Sequence, residues 1–420
     1  MTHRVWVTDS DLYGKHNDKQ PYFWLIGIQD ADKDYILDSI PLSLGDDEHI
    51  EREKLFDQLE TVLKYISRSV PCGFSILGLS TISGSNMEKN IFTPQVVQQI
   101  FKRNLEQYAC NNCWKRAILL TVHERKPSCS VIDLQNGGKS IPCKLKDSNR
   151  VPSLVCLEAV IDVDWTLPYD SDGNQRSVLR WLSETKDWFC SCLHSGLVSI
   201  DGCFLCHKNQ SDEWIPTQDR RQYQVEVFVD QWFPNSDKLY RVRDSAIRLR
   251  AQVPCRVYLL GTCSGSQIIS LFAQDWKQAF ETIVEVALEE FGASAFDLNH
   301  SKMIWNLPRR IFVESAMRKV PYCDYILAEE SRQNVQDRLT SLLHFSSKEW
   351  EQSQLCFFEQ STTSEMENLP SASTWQWHSS KSQVIPAKRD GSDDWNRMWV
   401  YCIVLVIFAI LCAAVWRKKF

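Results

Sequence analysis

An uncharged run of nineteen residues near the end of the chain, Met398–Trp416, constrains what this sequence can fold into more than any other feature. At a rise of about 1.5 Å per residue, a helix of this length just crosses a hydrocarbon layer of about 30 Å. Trp399, Tyr401 and Trp416 lie at its two ends, where aromatic rings favour the headgroup region. The sequence therefore predicts one transmembrane anchor, with the lipid bilayer as a partner and nearly all other residues outside it.

The orientation of this anchor depends on the two ends of the chain. The first twenty residues carry frequent charges and no apolar core, which is not the pattern of a secretory signal peptide. With only four residues after the span, we expect tail-anchored insertion and a cytosolic domain. The residues Arg417, Lys418 and Lys419 would then violate the positive-inside rule. A basic pair there also resembles an endoplasmic reticulum retrieval signal, which requires a cytosolic tail, and basic tails occur on mitochondrial outer-membrane anchors as well.

The composition indicates a folded chain and excludes some partners. Of the 420 residues, 24% are charged and 44% are hydrophobic, as in ordinary soluble domains. The net charge of -6 and the scattered basic residues argue against nucleic acid as a partner. We expect most of the 16 cysteines to be buried thiols, because a chain that stays in the cytosol does not form disulfides readily.

Residues 1–150 alternate apolar strands with amphipathic helices, which predicts an α/β (α+β) domain. The apolar positions of residues 51–69 recur at helical spacing, and Thr93 followed by Pro94 is typical of a helix start. The predicted strands are Tyr22 to Ile28, Tyr35 to Leu42, Gly73 to Ile82, Ala117 to Val122 and Cys129 to Leu134.

A second α/β region is predicted over residues 151–345, followed by a flexible tether over 346–394 that is rich in Ser, Thr, Gln and Glu. The predicted helices of the second α/β region are Val178 to Phe189, one with a strong apolar stripe from Trp276 to Phe291, and one that contains Val335 and Leu339. Its predicted strands are Leu154 to Val163, Tyr223 to Val229, Arg256 to Leu260, Arg310 to Glu314 and Asp324 to Leu327.

One group of residues suggests a metal site. Zinc takes about four thiolate or imidazole ligands, and two close pairs on turns can supply them. The candidates are Cys190, Cys192, Cys203, Cys206 and His207. Only one residue separates the first pair, however, and an apolar run follows it, so a cysteine-rich hairpin with free thiols is the preferred interpretation. We therefore expect no metal and no cofactor.

A second pattern suggests a catalytic nucleophile. The sequence Gly261-Thr-Cys263-Ser-Gly265 resembles a nucleophile elbow, with a strand before it and a helix about ten residues after it. No histidine and acidic partner can be assigned to Cys263, and turns rich in Gly and Ser are common. We expect no enzymatic activity, and keep a membrane-anchored thiol hydrolase and a zinc-binding signalling module as alternatives.

Five sequence blocks together resemble a known family. They are Tyr22–Ile28, the block VPCGFSILGL at 70–79, PCRVY at 254–258, LPRRIFV at 307–313 and CDY at 323–325. Their order and the C-terminal anchor resemble those of the ODR-four (odorant-response-abnormal protein four) family. The individual blocks are short and apolar, so the order carries the resemblance.

The resemblance implies an endoplasmic reticulum membrane protein that helps odorant receptors and other G-protein-coupled receptors fold, leave that organelle and reach cilia. It also implies binding of the cysteine protease specific for a ubiquitin-fold modifier, and no catalytic residues. Residues 1–150 are similar to inactive metalloprotease-like (MPN-like) domains, with Ser80 to Ser83 where the metal ligands would stand. We expect such a domain to act by pairing with a partner.

Overall fold

The chain is a mixed α/β protein built on two large β-sheets, which confirms the α/β class predicted from its sequence. The computed structural model describes residues 4–7, 22–30, 33–42, 52–83, 92–108, 116–123, 126–135, 139–147, 153–169, 175–205, 213–216, 220–228, 245–291, 303–306, 308–327 and 330–356. All of these residues belong to one unit, Met1–Leu369.

The described residues form six helices and nineteen strands. The helices are α1 (Arg52–Ser69), α2 (Pro94–Tyr108), α3 (Gln175–Ser195), α4 (Gly265–Phe291), α5 (Arg332–Leu343) and α6 (Ser347–Glu351). The strands are β1 (Arg4–Val7), β2 (Tyr22–Gln29), β3 (Lys33–Pro41), β4 (Ser75–Ser83), β5 (Arg116–His123), β6 (Lys126–Asp133), β7 (Ser140–Pro142), β8 (Lys144–Asp147), β9 (Leu154–Tyr169), β10 (Leu197–Ile200), β11 (Cys203–Leu205), β12 (Glu213–Trp214), β13 (Gln222–Phe228), β14 (Ser245–Leu260), β15 (Cys263–Ser264), β16 (Met303–Asn306), β17 (Arg309–Ser315), β18 (Tyr322–Ile326) and β19 (Ser353–Cys356).

The first sheet has eight strands in the order β7-β6-β5-β4-β2-β3-β1-β8. Its two edge strands, β7 and β8, are separated along the chain by Cys143 alone, so the sheet curls until its edges meet. The chain thus pairs with β6 before Cys143 and with β1 after it. Side chains from six strands fill the inside of the curl: Val5, Val7, Leu25, Ile36, Leu77, Ile118, Leu120, Cys129 and Val131.

Helices α1 and α2 share a second core with the opposite face of this sheet. Thr93 caps α2, since its hydroxyl accepts a hydrogen bond from the Val96 amide at 3.4 Å. Four residues of the apolar stripe predicted for α1 are buried, namely Leu55, Leu59, Leu63 and Ile66, and so are Val97 and Phe101 of the stripe predicted for α2. The same core includes Ile311, Tyr322 and Leu339. It therefore contains residues from both sides of the predicted boundary near residue 150.

The second sheet has six strands in the order β11-β10-β13-β9-β14-β16. Its centre is the antiparallel pair β9 and β14, which runs in register from Ser245 opposite Tyr169 to Leu260 opposite Leu154. Residues of α3 and α4 pack with one face of this sheet in a third core. Phe189 and Trp276 meet in that core with their ring centroids 4.6 Å apart.

Several elements are longer than their sequence patterns predicted. Strand β14 begins at Ser245 rather than at Arg256, although Pro254 lacks an amide hydrogen and normally ends a strand. Its pairing with β9, which extends beyond the predicted end at Val163, keeps the segment extended. Helix α4 begins at Gly265, and α3 continues past Phe189 to Ser195.

The predicted tether begins too early. Residues 347–356 form α6 and β19, and β19 pairs with β17. Ser346 and Glu349 form a capping box at the start of α6, and Trp350 packs on Phe345 with ring centroids 4.9 Å apart. Residues 347–356 are therefore folded, although their polar composition predicted a tether. The rest of the tether and the anchor Met398–Trp416 lie outside the described residues, among whose helices none is long and apolar enough to cross a membrane.

Candidate functional site

A buried carboxylate on α4, Asp275, is the point where four of the five sequence blocks meet. One carboxylate oxygen accepts a hydrogen bond from the Cys72 amide at 3.1 Å, and the other accepts one from the Arg256 amide at 3.1 Å. The guanidinium of Arg310 binds both oxygens, at 2.6 and 3.1 Å. We call Cys72, Asp275, Arg310 and Cys323 the buried junction.

The remaining contacts of the buried junction are also internal. Arg310 donates to the Pro254 carbonyl at 3.2 Å and to the Cys323 sulfur at 3.5 Å. The Cys323 thiol donates to the Arg68 carbonyl at 3.1 Å. Burial lowers the pKa of Arg310 and the charge of Asp275 raises it, and the net shift is well above the ordinary value. The guanidinium therefore stays charged.

The buried junction stabilises the fold. Its ion pair is fully buried, and each charge is matched by several hydrogen bonds, which is the condition under which a buried ion pair is stable. It joins α4, the loop before β4, and strands β14, β17 and β18. The five blocks do not include Asp275, although its position next to the apolar Trp276 on the predicted helical stripe is a signal in the sequence.

The turn at Cys263 has a local structural explanation. The amide of Ser264 donates to the Gln267 side chain at 3.0 Å, and the Gln267 amide donates to the Ser264 hydroxyl at 3.3 Å. This reciprocal pair is a capping box at the start of α4. Burial raises the pKa of the half-buried Cys263 thiol, whereas a nucleophilic cysteine requires a lowered one. The predicted ten-residue gap before the helix is wrong, since α4 begins at Gly265.

The three zinc candidates that the structure describes lie on a helix and a strand rather than on turns. Cys190 and Cys192 belong to α3, where residues two apart point in different directions. Cys190 lies in the core, and burial raises its pKa to about 12. Cys203 is exposed on β11, and Cys206 and His207 lie outside the described residues. Within the described part of the chain, no three His, Cys, Asp or Glu side chains are grouped to hold a metal.

An exposed apolar surface lies on the six-stranded sheet, on the face opposite to α3 and α4. Leu197 on β10 is 46% exposed, and stands directly opposite Phe228 of β13. Phe204 on β11 is 62% exposed, and its ring centroid lies 5.4 Å from that of Phe228. Val160 on β9 is 47% exposed on the same face. We call Leu197, Phe204, Phe228 and Val160 the outer face.

The outer face has the properties of a binding surface. Exposed apolar side chains are ordinary when they are scattered, but contiguous ones mark sites of interaction. Here three of them come from three neighbouring strands: Leu197 lies opposite Phe228, and Phe204, which lies opposite Ser199, packs its ring against that of Phe228. No sequence pattern singled them out, because Leu197 and Phe228 alternate with buried residues as in any half-buried strand.

Comparisons with known proteins agree with the resemblance seen in the sequence. A family model described as ODR4-like, Odorant response abnormal 4-like, matches residues 24–353. A Mus musculus protein described as Protein odr-4 homolog is 22% identical over 302 residues, which cover 66% of this chain and 66% of that protein. A solved structure described as the crystal structure of UfSP from C. elegans has a TM-score of 0.47 and 7% identity, over 82% of this chain and 57% of that one. The matches thus span just under two thirds of the relative and little over half of the solved chain.

Proposed function

The chain belongs to the ODR4-like family, and on that premise we propose that it is a non-enzymatic adaptor in the trafficking of odorant receptors. Its clients would be odorant receptors and other multi-pass G-protein-coupled receptors, which it would help to fold, leave the endoplasmic reticulum and reach cilia. It would also recruit the cysteine protease specific for a ubiquitin-fold modifier to that membrane. The anchor Met398–Trp416 would hold the cytosolic domain at the bilayer and raise the effective concentration of a bound partner near its clients.

The outer face is the observation that carries an adaptor function. Aromatic and aliphatic side chains at the centre of an interface supply most of its binding energy. Phe204 and Phe228 are in contact before any partner binds, so they lose little side-chain freedom on binding. We assign the protease to this face, because a folded partner can cover a flat sheet surface.

The eight-stranded sheet supports a further part of the proposal, that residues 1–150 are a degenerate MPN-like pairing domain. Its β4 lies between β2 and β5, and Ser80 and Thr81 stand on it, both buried. Hydroxyl groups in place of imidazoles do not retain a catalytic zinc ion. The domain would therefore contribute a binding partner and no hydrolytic centre.

The test compares two variants of the full-length protein purified in mild detergent. In the first, Phe204→Ser and Phe228→Ser remove the aromatic pair of the outer face; in the control, Ile141→Ser changes a residue that is 56% exposed on the other sheet. We expect the first variant to lose binding of the modifier protease by about thirtyfold, which corresponds to about 2 kcal/mol. The control should bind as the wild-type protein does.

Three results would argue against the proposal. Equal binding by both variants would remove the outer face as the docking surface. Normal delivery of an odorant receptor to cilia in cells that lack the protein would remove the trafficking function. Rapid labelling of Cys263 by a thiol-reactive probe, or about one zinc ion per chain, would favour the thiol hydrolase or the zinc module instead.

A further inference from the structure

Two cysteines face each other where the eight-stranded sheet closes on itself. Ser130 of β6 pairs with Pro142 of β7, and the next residues along these strands are Cys129 and Cys143. The Cys143 amide donates to the Cys129 carbonyl at 3.0 Å, which places the two residues opposite each other. Opposed residues of this kind have α-carbons about 5.5 Å apart, within the range that a disulfide spans.

Both side chains point into the curl of the sheet. Cys129 is a member of its inner core, and Cys143 packs against that core while remaining half-buried. Each thiol shifts the pKa of the other, and both are free. The two side chains therefore lie on opposed residues and on the same side of the sheet, so a bond between the sulfur atoms needs little movement of the strands.

We propose that Cys129 and Cys143 form a reversible dithiol–disulfide site that locks the closure of the eight-stranded sheet. The oxidant is a low-molecular-weight disulfide such as glutathione disulfide. Cys143 attacks one sulfur of the oxidant and expels one thiolate, which gives a mixed disulfide. Cys129 then attacks the Cys143 sulfur and expels the second thiolate. The two protons from the protein thiols pass to the two released thiolates, so two thiols are oxidised and one disulfide is reduced.

The order of attack follows from the environment of each thiol. Cys143 is half-buried and reachable, and interaction with the neighbouring Cys129 thiol lowers its pKa, which favours the nucleophilic thiolate. The same interaction, together with burial, raises the pKa of Cys129, so we expect Cys129 to react second, with the mixed disulfide. The position of the pair determines which strands the disulfide would hold together. At Cys143 the chain changes its pairing from β6 to β1, so the cross-link ties together the strands that close the sheet.

The test uses the full-length protein in mild detergent, first reduced and then incubated with an excess of glutathione disulfide. We expect peptide mapping to find a direct Cys129–Cys143 link in the wild-type protein and in the Cys203→Ser control, which lacks an exposed thiol. Reduction should reverse the link, and its formation should raise the Tm by about 3–6 °C. The Cys143→Ser variant should keep Cys129 reduced and show no shift of Tm.

Three outcomes would overturn the proposal, and none requires a variant to fold. Cys143 could remain a stable mixed disulfide in the wild-type protein without linking to Cys129. Both thiols could stay reduced in excess oxidant. A link could form only after denaturation, which would show that the folded strands hold the sulfur atoms apart.

Discussion

Replacing Arg310 by methionine tests whether the buried junction holds the fold together. The change removes the cation and leaves the Asp275 carboxylate buried with its two backbone donors, the amides of Cys72 and Arg256. Breaking one side of a buried ion pair costs about 3–5 kcal/mol. Two charge-assisted hydrogen bonds at about 1.5–3 kcal/mol each give a similar total. We expect a loss of about 3–4 kcal/mol, toward the lower end, because the two backbone donors remain.

The assay is urea denaturation of the protein in mild detergent, followed by the fluorescence of its tryptophans, which include the buried Trp276. The matched control is Arg309→Met on the same strand, where we expect a change below about 1 kcal/mol. A double variant, Arg310→Met with Asp275→Asn, removes both charges at once. The double variant should lose less free energy of unfolding than the sum of the losses of the two single variants, because no lone buried charge is left.

Two results would refute this reasoning. If Arg310→Met were no worse than Arg309→Met, the ion pair would contribute nothing to the free energy of unfolding. If the double variant cost as much as the sum of the single variants, the two charges would act independently, and their contact would not be the stabilising feature.

Two further predictions concern backbone conformation at glycine and the reactivity of a thiol. Gly73 has φ +100°, and an added Cβ would lie 2.0 Å from the Tyr258 carbonyl oxygen, so Gly73→Ala should lower the free energy of unfolding by about 2 kcal/mol or more in the urea assay. Gly202→Ala, at φ +81° with nothing within 4 Å of its Cβ, should cost only about 1 kcal/mol; equal costs would refute the packing argument. Because burial raises the pKa of Cys263, iodoacetamide at neutral pH should alkylate it more slowly than the exposed Cys203, and raising the pH should speed its reaction; faster reaction of Cys263 would contradict a suppressed thiol.

The sequence predicted the elements whose signals are local. Helix α1 and the start of α2 follow from apolar spacing and from the Thr93-Pro94 cap, and strands β2 and β4 to β6 follow from short apolar runs. The elements that the sequence did not predict are short or depend on pairing within the sheet. Strands β1, β7 and β8 have three or four residues each, and they pair with β3, β6 and β1, respectively. The first half of β14 likewise depends on β9.

The two patterns that suggested a site have local structural explanations. The pattern at Cys263 suggested a catalytic nucleophile and the pattern at Cys190 suggested a zinc site, because sequence spacing alone does not say whether residues lie on a helix or on a turn. Once α4 begins at Gly265, the same Ser and Gln become a helix cap; once α3 continues to Ser195, the cysteine pair points in two directions. Conversely, Asp275 was missed because a carboxylate in an amphipathic helix is ordinarily on its solvated face, and only tertiary packing makes it buried.

Four of the five sequence blocks that resemble the family meet at the buried junction and not on the outer face. Four blocks supply Cys72, Arg256, Arg310 and Cys323, which meet at Asp275 and make only internal contacts. These blocks therefore build the joint between the sheets and contribute to the fold rather than to an exposed binding surface. The outer face lies on another part of the six-stranded sheet, so its side chains can vary without loss of the fold. A variant of the buried junction should lose stability and partner binding together, whereas a variant of the outer face should lose binding alone, and this difference separates the fold of the family from the function of this member.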